Sequence, residues 1–219
     1  MTADTAYDRL MAGAARGRWD AADLHVAASI LALALSEAPV PEDLPAHCGL
    51  DAAELAGLVG ALFPAAPREF LRGIGDVPRG IEEDSLRSLL LAHAGDTALA
   101  PPLASMIARR AMEPDHLWQD LGLRNRGELS AMLTRHFGPL AAKNTANMKW
   151  KRFFYRLICE DEGFVLCATP VCTDCADFDM CFGEESGESR LARAGRAEPP
   201  DGNPTPARAD DRADGTVRS

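Results

Sequence analysis

Leu140 to Glu160 reads LAAKNTANMKWKRFFYRLICE, and this stretch constrains the fold more than any other. Large apolar side chains recur in its second half at the spacings of one buried face of an α-helix. They are Trp150, Phe153, Phe154, Leu157 and Ile158. The sequence therefore predicts a last amphipathic helix over roughly 140–160, preceded by a break at Gly138-Pro139.

The sequence before this stretch also has helical periodicity. Between Ala21 and Ala38, apolar residues three and four positions apart share one face. Asp51 and Glu54 have the spacing of a capping box, which predicts a helix that runs to Phe63. The other predicted helices are Glu82 to Ala94, Pro101 to Met112, His116 to Leu121 and Glu128 to His136. No segment alternates as a strand does, so we predict an all-α bundle of about six helices.

The composition divides the chain into a domain and a tail. After Gly183 there is no Ile, Met, Phe, Tyr or Trp, while Gly, Pro, Ala, Asp and Arg dominate. Such a segment has too few apolar side chains to form a core. We therefore predict a helical domain over residues 1–183, which includes the cysteine loop 167–181, and a disordered tail over 184–219.

The charge and hydropathy of the chain restrict its partners. It has 23 Lys and Arg residues against 33 Asp and Glu residues, a net charge of −10 that disfavours nucleic-acid binding. The longest apolar stretch lies around Val26 to Leu35, far short of the ~20 residues that a membrane helix needs. We expect a soluble, cytoplasmic protein that binds neither nucleic acid nor membrane.

A compact cysteine motif follows the last predicted helix. It reads Cys167-ATPV-Cys172-TD-Cys175-ADFDM-Cys181, so that four of the six cysteines lie within fifteen residues. Thiolates are soft ligands that select zinc, copper(I) or iron–sulfur clusters, and so short a loop brings them to one centre at little entropic cost. The motif predicts a metal site.

Three interpretations of the cysteine motif differ in how well they fit its spacing. Disulfides are disfavoured because the N-terminal residues do not resemble a secretion signal. Zinc sites usually have two C-x2-C pairs, whereas this motif has one between arms of four and five residues. The x4-x2 order is how plant-type ferredoxins begin. Spacing alone thus favours an iron–sulfur cluster and leaves zinc open.

A basic stripe precedes the motif. Lys149, Arg152 and Arg156 are three and four residues apart and share a helix face, with Lys151 beside them. Many such stripes are simply solvated. Near four thiolates, however, cations favour the deprotonated sulfurs and attract oxoanions.

The two remaining cysteines are interpreted as residues outside the metal site. Cys159 is near enough to the motif to be a fifth ligand, but its position beside Ile158 suits a small buried side chain. Cys48 is far upstream and is interpreted as packing or surface.

Two runs of sequence resemble the NifQ family of nitrogen-fixation proteins. One begins NMKWKRFFYR at Asn147 and continues through Cys159-EDEG to the cysteine motif, which ends Cys181-Phe-Gly183. The other is RRAMEPDHLWQDLGL, from Arg109 to Leu123. The resemblance covers most of residues 82–183 and includes the intact C-x4-C-x2-C-x5-C signature.

The resemblance implies a carrier and donor protein that is not an enzyme. Such proteins hold a molybdenum–iron–sulfur cluster and supply molybdenum for the iron–molybdenum cofactor of nitrogenase. The implied cluster ligands are Cys167, Cys172, Cys175 and Cys181. A second molybdenum or anion site is expected among Arg109, Arg110, His116, Lys149 and Arg152. The implied partners are the cofactor-assembly scaffold, the nitrogenase Fe protein, and molybdate or a molybdenum carrier.

Two other functions share parts of this pattern. Endonuclease III-type DNA glycosylases are also all-α and end in a four-cysteine iron–sulfur loop, but their first gap is x6 and they need a surface suited to DNA. A zinc-stabilised interaction module would use the same thiolates only to fasten the last helix.

Overall fold

The computed structural model describes residues 1–71 and 77–161, with side chains up to Ile158 at the second boundary. These residues form ten α-helices and two 3-10 turns, at Pro41–Asp43 and Arg68–Leu71. The helices are α1 (Ala3–Ala12), α2 (Ala21–Glu37), α3 (Leu44–Cys48), α4 (Ala52–Leu62), α5 (Ile81–Ala92), α6 (Ala100–Arg110), α7 (Leu117–Asp120), α8 (Arg126–His136), α9 (Gly138–Lys143) and α10 (Trp150–Asp161). Within the described ranges the only extended pairing is an isolated bridge between Arg16 and Trp19. The predicted all-α class is confirmed there.

Helix α2 is the centre of the bundle. It begins where the Asp20 carboxylate accepts a hydrogen bond from the Ala22 N–H at 2.8 Å. Its buried residues, including Leu24, Ile30 and Leu31, lie around the whole helix. A helix that is apolar on all sides is covered by other elements on all sides. Helices α1, α3 and α8 pack against it.

The prediction of one continuous helix over 140–160 is wrong, because two helices occupy this region. Pro139 lies in the first turn of α9, where a missing N–H breaks no helical hydrogen bond. After α9, the Asn144 side chain accepts a hydrogen bond from the Met148 N–H at 2.8 Å and donates one to the Met148 carbonyl at 2.9 Å. Asn147 has a left-handed φ of 49°. This side chain-stabilised turn separates α9 from α10.

The expected number of helices, about six, is too low for the described residues. Helices α1 and α3 were not predicted, and α9 was predicted only as part of the helix over 140–160. Pro45 lies in the first turn of α3, and α1 is capped by Thr2. The capping box of α4 is confirmed: Asp51 accepts from the Glu54 N–H at 2.8 Å, and Glu54 accepts from the Asp51 N–H at 3.0 Å.

The described residues end before the cysteine motif and the tail. Residues 167–181 and 184–219 lie outside them, so the predicted domain boundary at Gly183 stays a prediction. None of the helices in the described part of the chain is long and apolar enough to cross a membrane.

Candidate metal centre

The four predicted cluster ligands, Cys167, Cys172, Cys175 and Cys181, lie outside the described residues. Cys159 lies in α10, but its side chain is beyond the described part as well. Up to that point the structure contains no group of three or more His, Cys, Asp or Glu side chains that could hold a metal ion. The structure therefore bears on the proposed centre through the helix that leads to it.

Helix α10 is fixed to the bundle by the predicted aromatic stripe. Trp150, Phe153, Phe154 and Ile158 are all less than 8% exposed. The rings of Trp150 and Phe153 meet edge to face with centroids 5.7 Å apart, a favourable geometry for aromatic pairs. The Trp150 indole N–H donates to the Ser130 hydroxyl at 3.1 Å. This end of α10 is thus held by packing and by an oriented polar contact.

Lys151 attaches the other side of α10 to the segment between α6 and α8. Its Nζ donates to the Asp120 carboxylate at 2.5 Å and also to the Glu113 carbonyl. The Lys151 side chain is only 16% exposed. Lys151 is therefore a partly buried member of an ion pair, whereas the sequence placed it beside a solvent-facing basic stripe.

Arg110 extends this contact into the core. Its side chain is 1% exposed, its Nε donates to the Asp120 carbonyl at 2.6 Å, and its Nη1 donates to the Glu37 carboxylate at 2.6 Å. Arg110, Asp120 and Lys151, together with Glu37 at the surface end, whose side chain is 39% exposed, form what we call the buried charge network. It connects α2, α6, α7 and α10.

Asp120 is held at the centre of this network at an electrostatic cost. Burial raises the pKa of its carboxyl from 3.8 to about 6. Lys151 and, more weakly, Arg110 lower this pKa, and Asp115 raises it further. The elevated value means that the attraction of Lys151 does not fully offset the loss of water around the carboxylate.

Arg109, the neighbour of Arg110 and a predicted anion-site residue, contacts a different part of the protein. Its Nε donates to Glu83 of α5 at 3.0 Å, and its Nη2 donates to the Pro78 carbonyl at 2.8 Å. Arg79 also approaches Glu83, at 3.9 Å. The described contacts of Arg109 and Arg110 therefore join different helices.

The other three predicted anion-site residues lie at the beginnings of helices. His116 immediately precedes α7, where its N–H donates to the Gln119 side chain at 3.3 Å. Lys149 immediately precedes α10, where its carbonyl accepts from the Phe153 N–H at 2.9 Å. Arg152 lies in the first turn of α10 and is partly buried. Each of these three residues has at least one interaction partner within the protein. The second molybdenum or anion site stays a prediction.

Cys48 is a packing residue, as expected. It is fully buried, and its Sγ donates to the Pro45 carbonyl at 3.7 Å. Burial raises the pKa of the thiol to about 12, so that the thiolate needed for metal binding is not formed near neutral pH.

The sequence analysis missed the roles of Glu37, Asp120 and Lys151. A signal for Lys151 was present, because it is three and seven residues before Phe154 and Ile158 and so borders the apolar face of α10. A lysine at such a position needs a buried oxygen partner. Its spacing did not show that the partner is Asp120, which lies in the other run carrying the family resemblance.

Comparisons with known proteins agree with that resemblance. The sequence model of the NifQ family matches residues 26–183. The Protein NifQ homolog of Sinorhizobium fredii is 44% identical over 184 residues, which cover 79% of this chain and 80% of that protein. Protein NifQ of Rhodobacter capsulatus is 42% identical over 146 residues, which cover 65% of this chain and 79% of that protein. Protein NifQ of Azotobacter vinelandii is 35% identical over 156 residues, which cover 65% of this chain and 80% of that protein. No solved structure matches significantly.

Proposed function

Since this chain belongs to the NifQ family, which is linked to nitrogen fixation, we propose that it carries a molybdenum-containing iron–sulfur cluster and delivers molybdenum for assembly of the nitrogenase iron–molybdenum cofactor. The observation that carries the proposal is that the matched range, 26–183, includes all four cysteines of the motif. The cluster is cargo, and the protein acts as a donor rather than as an enzyme.

The chemistry of the four thiolates fits this cargo. Cys167, Cys172, Cys175 and Cys181 are the soft ligands that iron–sulfur clusters take. Oxidised molybdenum is a harder centre and readily accepts oxygen or nitrogen donors. A molybdenum corner that is not bound by a protein thiolate can be given up to an acceptor, which is what a donor protein requires.

The described structure supplies a fixed helix before the motif. Helix α10 ends at Asp161, six residues before Cys167. The aromatic stripe and the buried charge network hold α10 from two sides. Presentation of a cluster to a partner is favoured when the element that precedes its ligands is rigid, because less entropy is lost on docking.

The proposed setting is the cytoplasm, with the cofactor-assembly scaffold and the nitrogenase Fe protein as partners. Molybdenum would arrive as molybdate or from a carrier. The net charge of −10 supports a protein partner or a metal carrier over nucleic acid.

Metal analysis of protein purified without oxygen tests the proposal. Iron and molybdenum should both copurify with the chain and give an iron–sulfur signal in electron paramagnetic resonance. Zinc alone would favour the interaction module, and iron without molybdenum would leave an electron carrier or a repair enzyme. A folded protein without iron and molybdenum would overturn the proposal.

A pair of cysteine variants makes this test specific. Cys175→Ser removes a motif thiolate and should lower both iron content and molybdenum transfer to an acceptor. Cys48→Ala removes a thiol that is buried and protonated, and should leave both unchanged. Equal metal loss in the two variants, or unimpaired transfer by Cys175→Ser, would contradict the assignment of the motif.

A further inference from the structure

Lys151 occupies a position where an amphipathic helix normally has an apolar residue. It borders the buried face of α10, which includes Phe154 and Ile158. Yet its ammonium group makes two directed contacts, to the Asp120 carboxylate at 2.5 Å and to the Glu113 carbonyl. One acceptor, Glu113, lies in the connection between α6 and α7, and the other, Asp120, is the last residue of α7, so that Lys151 links α10 to this segment at two points.

The acceptors of Lys151 are themselves held in place. The Asp120 N–H donates to the His116 carbonyl at 3.0 Å, and the Asp120 carbonyl accepts from the buried Arg110 guanidinium at 2.6 Å. The Glu113 N–H donates to the Arg110 carbonyl at 3.2 Å. The backbone of both acceptor residues is therefore held by contacts that do not involve α10.

The energetics indicate that this contact fixes the position of α10 more than it stabilises the folded protein. When both members of a buried ion pair are replaced by well-packed apolar side chains, the protein is often as stable as before, because the cost of removing charges from water is avoided. The raised pKa of Asp120 shows that this cost is incurred here. An ion pair with two hydrogen bonds has, however, a direction and a length, whereas apolar packing tolerates rotation and sliding of a helix.

We propose that Lys151 and Asp120 are positioning residues that fix the rotation and axial position of α10, and with them the direction in which the chain leaves this helix toward the four cysteines. The link to the cysteines rests on the proposed function. The fixing of α10 does not, since it is a property of the described helices.

Amide hydrogen exchange combined with iron analysis tests this role. The test variant combines Lys151→Met with Asp120→Asn, so that neither charge is left buried without its partner and methionine keeps the apolar stem; its unfolding midpoint should stay close to that of the native protein. Amides of α10 should nevertheless exchange at least about tenfold faster, because the helix opens locally without its two directed contacts. Iron per chain, after purification without oxygen, should fall by about half or more.

Two matched variants separate positioning from other effects. Lys151→Arg keeps the charge and can still donate to both oxygens, so it should recover most of the slow exchange and the iron. Lys143→Met removes a more exposed lysine, which contacts His93 immediately after α5, and should change neither measurement in α10. If the double variant does not fold, Asp120→Asn alone weakens the same contact and takes its place in the comparison.

The possible results distinguish this inference from the proposed function. A native protein without iron would overturn the proposed function, and the exchange of α10 would still decide whether Lys151 fixes the helix. Unchanged exchange in α10 would overturn the inference. Faster exchange with unchanged iron would also overturn it, because the position of α10 would then not matter for the cysteines.

Discussion

The consecutive residues Arg109 and Arg110 belong to two different charge clusters, and these two residues differ in how deeply they are buried. Arg110 belongs to the buried charge network and is 1% exposed, whereas Arg109 is 20% exposed. Arg109 belongs to what we call the rim cluster, made of Arg79, Glu83 and Arg109. Adjacent residues of one type thus have different physical roles, because consecutive positions on a helix point about 100° apart.

The two clusters also differ in which charge is at the centre. In the rim cluster a carboxylate, Glu83, is 3% exposed and lies within 4 Å of two guanidinium groups, so that the loss of one leaves the other. In the buried charge network the central charge is the Arg110 guanidinium, which is 1% exposed and is the donor to the Asp120 carbonyl in the core, while its other acceptor, Glu37, is 39% exposed. We therefore expect substitutions in the network to be more costly than those in the rim.

Arg110→Met should give the largest effect. It leaves the Asp120 carbonyl in the core without its guanidinium donor and Glu37 without its partner; since hydrogen bonds to charged groups contribute about 1.5–3 kcal/mol each, the loss should be about 3–4 kcal/mol. Urea denaturation should show this loss in the free energy of unfolding. Arg124→Met is the control, since that side chain is 69% exposed and should cost no more than about 0.5 kcal/mol. A loss below 1 kcal/mol for Arg110→Met would contradict the distinction between the clusters.

Gly49→Ala should disturb the rim cluster through its backbone. Gly49 has a φ of 78°, and an added Cβ would lie 2.5 Å from the Arg109 Cβ and 2.7 Å from the Ser105 carbonyl. The left-handed backbone alone costs about 1–2 kcal/mol, and the clash with rigid atoms should bring the loss to about 3 kcal/mol. Gly57→Ala in α4 is the matched control, because an added Cβ there meets nothing within 4 Å. Thermal melting should show Gly57→Ala at or above the native midpoint and Gly49→Ala well below it.

Asp120→Asn should reveal, as a function of pH, how much free energy of folding is lost by burying the ionised Asp120 carboxylate. The folded-state pKa of about 6 is above the ordinary 3.8, so the folded protein binds the proton more tightly than the unfolded chain does. Stability from this group is therefore present at low pH and lost as pH rises from about 4 to 6. The free energy of unfolding of the native protein, minus that of Asp120→Asn, should fall by about 2 kcal/mol over this range. A rise over the same range would mean that attraction to Lys151 exceeds the cost of burial.

The sequence alone was sufficient to predict the helical class and the buried helix faces that follow from local periodicity. The capping box of Asp51 and Glu54 and the aromatic stripe of α10 depend on residues close in sequence, and both are confirmed. The division of α9 from α10 depends on how the Asn144 side chain bonds to Met148, which competes with the helix in a way that spacing does not show.

The partners of the charged residues could not be predicted in the same way. Asp120 and Lys151 are 31 residues apart, and Glu37 and Arg110 are 73 apart. Such pairs are set by how helices pack, and a list of basic residues such as Arg109, Arg110 and Lys149 does not separate them by depth. The ligand role of the cysteine motif comes from local spacing and from the family resemblance, and it stays a prediction.

Arg109→Met should give the smallest effect of the series and is the sharpest test of the comparison. Glu83 keeps Arg79 as a neighbour, and Arg109 itself is partly solvated, so the loss should be about 1 kcal/mol in urea denaturation. Combining it with Glu83→Gln in a double-mutant cycle should give a coupling energy of about 1 kcal/mol, because each substitution removes the same contact. A loss as large as that of Arg110→Met would show that depth does not separate the two arginines. A coupling energy near zero would show that Arg109 contributes through the Pro78 carbonyl and its stem rather than through Glu83.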